Sequence, residues 1–516
     1  MKPISLMFAL AMSAIACGNT APLPKPPPSP PAVKWPAPIA QPPEPPRTTP
    51  DAAFRDAVPE PSGAVSFSAP KIESLTLKNG TRVLYVARHE LPIVSVRVVI
   101  TRGAGDDAAA KPGMMSFMGA MLEQGAGARN ALQISDDYEA IGAQHGASAE
   151  WDSAGSSVKV LPRHLDAALA ILGDVIQKPT FPEAEIARLK ARRLASLTQE
   201  KNSPGAMASN SVAAVVYGRA HPYGHSLVGR EEDVKKITRE DLTRAYARSF
   251  GPKNTTIIVA GDVTKEVLVP KLEATFGAWK GAAGRPVSAA LAPVKLKADA
   301  PRLILVDRPG APQSQVILAD QGVAMSTSDR DALTVANAIL GGMFSSRINM
   351  NLREAHAYTY GAYSRFSLRH GAGPFTAGGA VVADKTAPAI HELFVELAAS
   401  RDSEATVDEL ANAKENLKLA LPGRFETVTD VTSALADIAV YDLPLDEFST
   451  RVKRIDAVTA ADVKRVAAAH LHPSAIRVIV VGDRAKLESS LEVLHLGTPE
   501  IHDAYGDPVG PTPAKK

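Results

Sequence analysis

Cysteine is almost absent from this sequence, whose 516 residues include a single one, Cys17. One thiol excludes a disulfide bond within the chain, so the position of this cysteine is its main information. An excess of one charge is also lacking, because 57 Lys and Arg residues are balanced by 55 Asp and Glu residues. This balance gives no reason to expect a nucleic-acid partner. The 45% hydrophobic and 22% charged content is typical of a soluble globular protein, here long enough for two or more domains.

The first apolar run, residues 4–15, is too short to span a bilayer and follows a lysine, which is typical of a secretory signal. It ends in Ala14-Ile15-Ala16-Cys17, which resembles a bacterial lipobox, where the cysteine is lipidated and becomes the mature N-terminus. We therefore expect a lipoprotein signal peptide over residues 1–17 and a lipid-anchored protein of the bacterial cell envelope that faces the periplasm. The alternative is a plain signal peptide with an incidental cysteine, because Ala14 stands where a lipobox usually has leucine.

Two segments have the composition of unfolded chain. Residues 18–70 are rich in proline, cannot build a core and are predicted to form an extended tether. Residues 496–516 are predicted to form a disordered tail.

A repeat divides the sequence between these segments. Hairpin, strand and helix patterns of the first part return in the second. A helix cap, a turn at a proline, a buried strand and a Gly-Asp end recur at a constant offset of 221 positions, with Thr238, Asp241, Pro252, Gly261 and Asp262 matched by Thr459, Asp462, Pro473, Gly482 and Asp483. Chance is a poor explanation of one constant offset. We predict an α+β fold of two homologous domains, residues 71–285 and 300–495, each an antiparallel-rich sheet packed with helices, which together form a clamshell cleft.

The segment LGGMFSSRINMNLREAHAYTY, residues 340–360, is a candidate binding site. Apolar residues at helical spacing lead up to Arg353, and period-two spacing after His356 indicates that a short helix is followed by a strand. Arg353 and Tyr360 would then converge and offer a guanidinium and a phenol to a ligand carbonyl or oxyanion. The alternative is a surface arginine that pairs with Glu354 or Glu415 and a tyrosine that fills a sheet face.

Nearly all of the folded region, from about residue 71 to 483, resembles the pitrilysin/insulinase type of zinc metallopeptidase, in particular the bacterial relatives of mitochondrial processing peptidase. The segments that carry this resemblance include LKNGTRVLYV, PGMMSFMGAMLEQGA, HPYGHSLVG, VDRPGAPQSQVIL, residues 340–360 and LPGRFET. The resemblance implies the two-domain clamshell fold. In active members it also implies an inverted zinc motif, H-x-x-E-H, on the helix that corresponds to residues 113–125.

This zinc motif is missing. Ser116, Gly119 and Ala120 stand where the resemblance places the first histidine, the glutamate base and the second histidine. Ser196 falls near the place of the distal glutamate ligand, and residues 186–199 contain no carboxylate at all. None of these side chains replaces the missing ligands or base. We therefore predict no metal site and no cofactor in this chain.

In active family members an arginine and a tyrosine of the second half hydrogen-bond the peptide near the scissile carbonyl, and Arg353 and Tyr360 match their spacing. The family's usual glycine in this turn is replaced around His356 and Ala357. Several bacterial members work as pairs of unlike chains, in which one chain brings the zinc site and the other brings the Arg/Tyr pair. The resemblance thus implies a substrate-binding, transition-state-assisting subunit of a heterodimeric zinc metalloendopeptidase, with an H-x-x-E-H chain as its partner. The alternative is a non-catalytic scaffold or peptide-binding protein of the cell envelope.

Three neighbouring residues complete the prediction. Gly341, Gly342 and Arg347 are candidate substrate-binding residues that shape the turn before Arg353. Their alternative role is local: backbone geometry for the two glycines, and a surface ion pair for the arginine.

Overall fold

A computed structural model describes residues 67–284, 288–295 and 300–510 of the chain. The predicted signal peptide, Cys17 and residues 18–66 of the predicted tether lie outside the described residues, as do residues 511–516 of the predicted tail. Within the described ranges, no helix combines the length and the apolar character that crossing a membrane requires.

The strands are β1 (Glu73–Thr76), β2 (Arg82–Ala87), β3 (Val94–Ile100), β4 (Gly125–Ala126), β5 (Arg129–Asn130), β6 (Gln144–Ala149), β7 (Ala154–Val160), β8 (Thr255–Gly261), β9 (Leu303–Asp307), β10 (Gln313–Gln321), β11 (Thr359–Phe366), β12 (Pro374–Val382), β13 (Arg477–Gly482) and β14 (Glu500–His502).

The helices are α1 (Met114–Met121), α2 (Ala131–Ala140), α3 (Leu165–Gln177), α4 (Glu183–Glu200), α5 (Pro204–Tyr217), α6 (Glu231–Lys236), α7 (Arg239–Ser249), α8 (Lys265–Phe276), α9 (Arg330–Asn337), α10 (Arg347–Asn349), α11 (Thr386–Asp402), α12 (Val407–Leu419), α13 (Val428–Tyr441), α14 (Arg451–Ala457), α15 (Ala460–His470) and α16 (Arg484–Leu491). The chain is π-helical over Ala338–Gly342 and Met350–Ala355.

Two six-stranded sheets organise the fold, one in each half of the sequence. The first has the order β1-β2-β8-β3-β7-β6, and the second has the order β11-β12-β10-β13-β9-β14. Most neighbouring strands are antiparallel, while β8 runs parallel to β2, and both β13 and β14 run parallel to β9. The predicted α+β fold of two sheet-and-helix halves is confirmed.

The repeat predicted at an offset of 221 positions forms the same structure, a capped helix followed by a strand, in each half. Thr238 and Thr459 each cap a helix, because each hydroxyl accepts a hydrogen bond from the amide three residues later, at 3.2 and 3.1 Å. The following strands, β8 and β13, are buried along their whole length at the centres of the two sheets. The repeated sequence therefore builds the central strand of each sheet and the helix before it.

Each half covers a sheet face of the other half. From the first half, α5 packs Val212 and Val216 against the second sheet, where they join a core cluster with Ile317. From the second half, α13 packs Leu435 and Ile438 against the first sheet. The predicted domains at residues 71–285 and 300–495 therefore exchange helices, and the described chain from residue 67 onwards forms one compact unit.

A buried carboxylate also joins the halves. Asp152 accepts hydrogen bonds from the Tyr223 hydroxyl at 3.2 Å, the Tyr441 hydroxyl at 3.0 Å and the His370 amide at 3.0 Å. The Arg369 guanidinium lies 4.7 Å from the Tyr223 ring centre. Because these groups come from both halves, they fix how one half sits against the other.

The predicted disorder of the C-terminal tail is wrong for residues 496–510. There, β14 pairs with β9 and takes the edge position that β1 holds in the first sheet. Beyond β14, Asp507 accepts hydrogen bonds from Arg219 and Arg230 of the first half, both at 2.8 Å. The predicted start of the folded region at residue 71 is also late, because Phe67 packs against Phe425 with ring centres 5.6 Å apart. Tertiary contacts order both segments, and composition does not report such contacts.

Candidate functional site

The helix that carries the degenerate zinc motif is α1, which packs beside β6, an edge strand of the first sheet. The helix begins after Gly113, whose φ of 81° is left-handed and favours glycine. All but one of its residues are buried, Ala120 being the exception. An apolar helix of the core therefore occupies the place to which the resemblance assigns the metal ligands of active family members.

Gly119, at the position of the family's glutamate base, has no room for a side chain. A Cβ atom there would lie 2.6 Å from the Ala149 amide nitrogen and 2.6 Å from the Ser148 carbonyl carbon of β6. These are backbone atoms, so rotation of a neighbouring side chain does not relieve the contact. The close approach of α1 and β6 requires glycine, and it closes the position to any base.

Ser116, at the position of the first histidine, is buried and bonded to an arginine. Arg193 of α4 donates a hydrogen bond from Nη1 to the Ser116 Oγ at 3.2 Å. The same guanidinium lies 5.7 Å from the ring centre of Phe117. Burial lowers the pKa of Arg193. A positive charge beside Ser116 opposes the binding of a metal cation.

The remaining motif positions also lack metal ligands. Ala120 has no polar atom in its side chain, and Ser196 is exposed and donates a hydrogen bond to Glu200 at 3.4 Å. Among the described residues, no group of three or more His, Cys, Asp or Glu side chains is arranged to hold a metal ion. The residues at this position do not fit the zinc ion that the family's active members bind.

Sequence reasoning missed a polar pair, Glu123 and His145, where α1 packs against β6. Glu123, two residues after α1, lies 3.1 Å from Nδ1 of His145 on β6 and accepts a hydrogen bond from Ser156 at 3.2 Å. Burial raises the pKa of the Glu123 carboxyl. The His145 ring stacks on Tyr138 with centres 4.1 Å apart. The signal in the sequence was the spacing, because Glu123 follows Gly119 and Ala120 by one helical turn.

The edge strand β6 offers free backbone groups. It pairs with β7 on one side only, and four of its six residues are exposed. A groove of about 370 Å³ lies over this edge of the sheet, and Gly146, Ser148 and Ser157 line it together with Thr432 of α13. An exposed sheet edge is able to bind an extended peptide as an additional strand.

Arg353 and Tyr360, which the sequence predicts to converge, lie together on the surface of the second half. The Arg353 guanidinium is 5.4 Å from the Tyr360 ring centre and 4.4 Å from the Phe344 ring centre. Tyr360 is 90% exposed and Phe344 is 68% exposed. We call these three residues the aromatic–arginine cluster.

The polar groups of this cluster are available to a ligand. The predicted alternative partner of Arg353, Glu354, lies 3.5 Å from its Nε, a long ion pair at the surface. Within the described part of the chain, neither the Arg353 guanidinium nor the Tyr360 hydroxyl donates a hydrogen bond to another protein group. Two exposed aromatic rings around an arginine are the residue types that dominate binding energy at protein interfaces.

The turn between Arg353 and Tyr360 holds a strained residue. Ala357 has a φ of 52°, in the left-handed region that favours glycine. Its amide donates to the Arg353 carbonyl at 3.1 Å, and the Tyr358 amide donates to the Leu352 carbonyl at 2.8 Å. The turn thus keeps a left-handed backbone although the family's usual glycine is replaced around this position. The strand predicted after His356 is present as β11, and a bulge between Thr359 and Ala362 leaves Tyr360 exposed and buries Ala362.

Gly341, Gly342 and Arg347 have contacts within the protein. A Cβ atom on Gly341 would lie 2.3 Å from the Ser364 amide, and one on Gly342 would lie 2.9 Å from Nδ2 of Asn337. Arg347 holds Glu409 through two hydrogen bonds, of 2.6 Å from Nε and 2.7 Å from Nη2. These contacts favour the local role for all three residues, with close packing of the glycines and an internal ion pair for the arginine.

Comparison with known families assigns the chain. A family model described as insulinase, peptidase family M16, matches residues 82–228, and one described as the peptidase M16 inactive domain matches residues 236–417. Together they cover more than half of the chain. The chain belongs to the M16 metallopeptidase family, which confirms the resemblance to pitrilysin and insulinase and the two-domain clamshell fold that it implies.

Individual relatives agree with this assignment. The chain is 24% identical to an uncharacterized zinc protease of Bacillus subtilis, over 77% of this chain and 94% of that protein. It is 25% identical to a probable mitochondrial-processing peptidase subunit beta of Arabidopsis thaliana, over 80% of this chain and 79% of that protein. Among solved structures, a peptidase M16 inactive domain from Pseudomonas fluorescens has a TM-score of 0.73 and 26% identity, covering 80% of this chain and 98% of that one. A protease from Helicobacter pylori, at 21% identity and a TM-score of 0.71, shares the fold over 80% of this chain and all of that chain.

Proposed function

We propose that this chain is the zinc-free, substrate-binding subunit of a heterodimeric M16 metalloendopeptidase. The observation that carries the proposal is the aromatic–arginine cluster, in which a half-buried Arg353 lies beside the exposed Tyr360 and pairs only at long range, 3.5 Å, with Glu354. The Tyr360 hydroxyl and the Arg353 guanidinium are therefore able to donate hydrogen bonds to a bound peptide.

The two halves of the proposed activity lie on different chains. The partner, an M16 chain with an intact H-x-x-E-H motif, supplies the zinc chemistry. In this chain, Arg353 and Tyr360 donate hydrogen bonds to the peptide near the scissile carbonyl, where negative charge grows during hydrolysis. Phe344 and the Tyr360 ring hold the guanidinium in place before the peptide arrives.

The loss of the zinc site supports a division of labour between chains. Gly119 is closed by β6 and Ser116 is hydrogen-bonded to Arg193, so the residues at this position do not fit a metal centre. The free edge of β6 still offers main-chain groups to an extended peptide. Peptide binding is therefore compatible with a chain that performs no hydrolysis alone.

The test is cleavage of a fluorogenic peptide by the chain reconstituted with its H-x-x-E-H partner. Arg353→Ala combined with Tyr360→Phe is expected to lower kcat by at least 10²- to 10³-fold, the typical cost of one lost donor to a growing oxyanion. The matched control is Arg365→Ala with Tyr363→Phe, which makes the same chemical changes at exposed positions of the same strand. Equal activity of the two double variants would refute the role of Arg353 and Tyr360.

A second function is favoured by two observations on the first sheet. The closed zinc site and the free β6 edge also suit a scaffold or peptide-binding protein of the cell envelope, in which Arg353 only packs between two rings. Under this alternative, the Arg353 and Tyr360 variant binds the partner normally and the wild-type pair shows no chelator-sensitive cleavage.

We further propose that Cys17 is lipidated and anchors the protein in the cell envelope, facing the periplasm. The support is the lipobox-like sequence that ends at Cys17 and the proline-rich segment after it. Metabolic labelling with a palmitate analogue is expected to mark the wild-type protein and not Cys17→Ser. Equal labelling of both would remove this proposal and leave the peptidase proposal intact.

A further inference from the structure

We propose that the retired zinc position on α1 has become a carboxylate-binding site, in which Arg193 holds a carboxylate group of a bound peptide. Where active relatives place a metal cation, this chain places a guanidinium beside Ser116. The site keeps a positive charge although it has lost the metal.

One edge of the Arg193 guanidinium is free. Its Nη1 donates to the Ser116 Oγ at 3.2 Å and to the Val228 carbonyl at 3.4 Å. Its Nε and Nη2 have no hydrogen-bond acceptor within the described part of the chain, and neither atom is fully buried. Both atoms therefore reach solvent. Nε and Nη2 form the edge of an arginine that binds the two oxygens of a carboxylate side by side.

The same protein shows this geometry elsewhere. Arg347 binds both oxygens of Glu409 through its Nε and Nη2, at 2.6 and 2.7 Å. Arg193 presents the equivalent pair of donors with no internal carboxylate, because no Asp or Glu within the described ranges lies at ion-pair distance from it and residues 186–199 contain none. The charge of Glu200 on the same helix acts on Arg193 without a direct ion pair, so the guanidinium is a partly buried cation that an incoming anion is able to stabilise.

The surroundings of Arg193 favour a peptide as the source of the carboxylate. Gly119 holds α1 directly against Ser148 and Ala149 at the end of β6, and Ser116 lies one helical turn from Gly119. A peptide that adds to the free edge of β6 therefore runs past the turn of α1 that Arg193 contacts. Glu123 lies beyond the C-terminal end of α1, and its negative charge would repel the carboxylate of a bound peptide. We therefore place the carboxylate of the peptide near Ser116, at the N-terminal end of α1.

This inference rests on the proposed binding of peptides and adds the chemical class that the site selects. The carboxylate is either the C-terminal group of the peptide or the side chain of an Asp or Glu, and both offer the same two oxygens. A substrate pool of peptides with acidic ends would be held by this chain in preference to neutral ones.

The experiment measures binding to the purified full chain by fluorescence anisotropy. The probes are three forms of fluorescein-labelled Val-Thr-Val-Ala-Val-Ala: the free acid, the C-terminal amide, and an amide whose last residue is Asp. Loss of a hydrogen-bonded carboxylate predicts weaker binding of the plain amide by on the order of 10- to 100-fold. Recovery with the Asp-ended amide would assign recognition to any carboxylate, and no recovery would assign it to the C-terminal group.

Arg193→Gln is expected to remove the difference between acid and amide. Arg192→Gln is the matched control, because Arg192 is the exposed neighbour on α4 and carries the same charge. If Arg193→Gln does not fold, Arg193→Lys, which keeps the charge but loses the planar edge, is expected to reduce the difference.

Equal binding of all three probes by the wild type, no binding of any probe, or an equal loss in the Arg192 variant would each overturn the proposal. Failure of the two-chain peptidase is distinguishable, because it would abolish cleavage and leave the preference for the acid unchanged.

Discussion

Replacing Gly119 by alanine tests whether the zinc position is closed by the fold or merely mutated. The new Cβ would lie 2.6 Å from two backbone atoms of β6 and 3.0 Å from the Ala149 Cβ. Overpacking of this kind costs about 1–3 kcal/mol. The higher helix propensity of alanine offsets this cost, because alanine in a helix interior is about 1 kcal/mol more stable than glycine. The free energy of unfolding is therefore expected to fall by up to about 2 kcal/mol.

Urea denaturation followed by circular dichroism measures this change, and Gly205→Ala is its control. Gly205 lies in α5 with no atom within 4 Å of the position of a Cβ, so its substitution is expected to stabilise the protein by up to about 1 kcal/mol. The two variants should therefore shift the urea midpoint in opposite directions. Equal stabilisation by both substitutions would show that β6 shifts away from α1 at little cost, and would refute the claim that the site is sterically closed.

Three further predictions concern the turn, an ion pair and the joint between the halves. Ala357→Gly should stabilise the protein by about 0.5–1 kcal/mol in the same urea assay, because glycine relieves the left-handed φ of 52°; Ala355→Gly, in the helical turn before it, should destabilise it. Arg347 lowers the pKa of Glu409 to about 2 from its usual 4.5, so this pair stabilises the folded state fully above pH 4.5 and its contribution is lost as the pH falls towards 2. The stability difference between the wild type and Glu409→Gln, measured in urea from pH 7 to pH 3, should therefore shrink below pH 4.5, and a constant difference would contradict this account. Asp152→Ala should cost about 3 kcal/mol or more in thermal unfolding, because it leaves two tyrosine hydroxyls and an amide without their acceptor, and an unchanged melting temperature would show that this joint does not hold the halves together.

The sequence was informative where a local pattern determines structure. The Thr238 and Thr459 caps and the strands after them are set by side chains within a few residues, and both were found at the predicted offset. The approach of Arg353 to Tyr360 followed from a helix-to-strand change only seven residues long. Such short segments have few alternative conformations.

Contacts between distant residues were not predictable in the same way. Nothing near Asp507 in the sequence indicates its two arginine partners, which lie in the first half of the chain. The steric closure at Gly119 depends on β6, which is distant in the sequence. The contact of Arg193 with Ser116 was not predictable either, because the sequence of α4 indicated only that a carboxylate ligand is missing there. For Arg347 the sequence left a ligand-binding role and an ion pair open, and its partner Glu409 on α12 lies too far along the chain to be predicted.

The most direct test of the central claim is purification of the tagged protein from detergent-solubilised membranes, with a peptide-cleavage assay in the presence and absence of a chelator. We expect a stoichiometric M16 partner that carries an intact H-x-x-E-H motif, and cleavage that the chelator abolishes and that is lost with Arg353→Ala and Tyr360→Phe. Recovery of the protein alone, without cleavage, would contradict the subunit role and leave a peptide-binding or scaffold protein built on a peptidase fold.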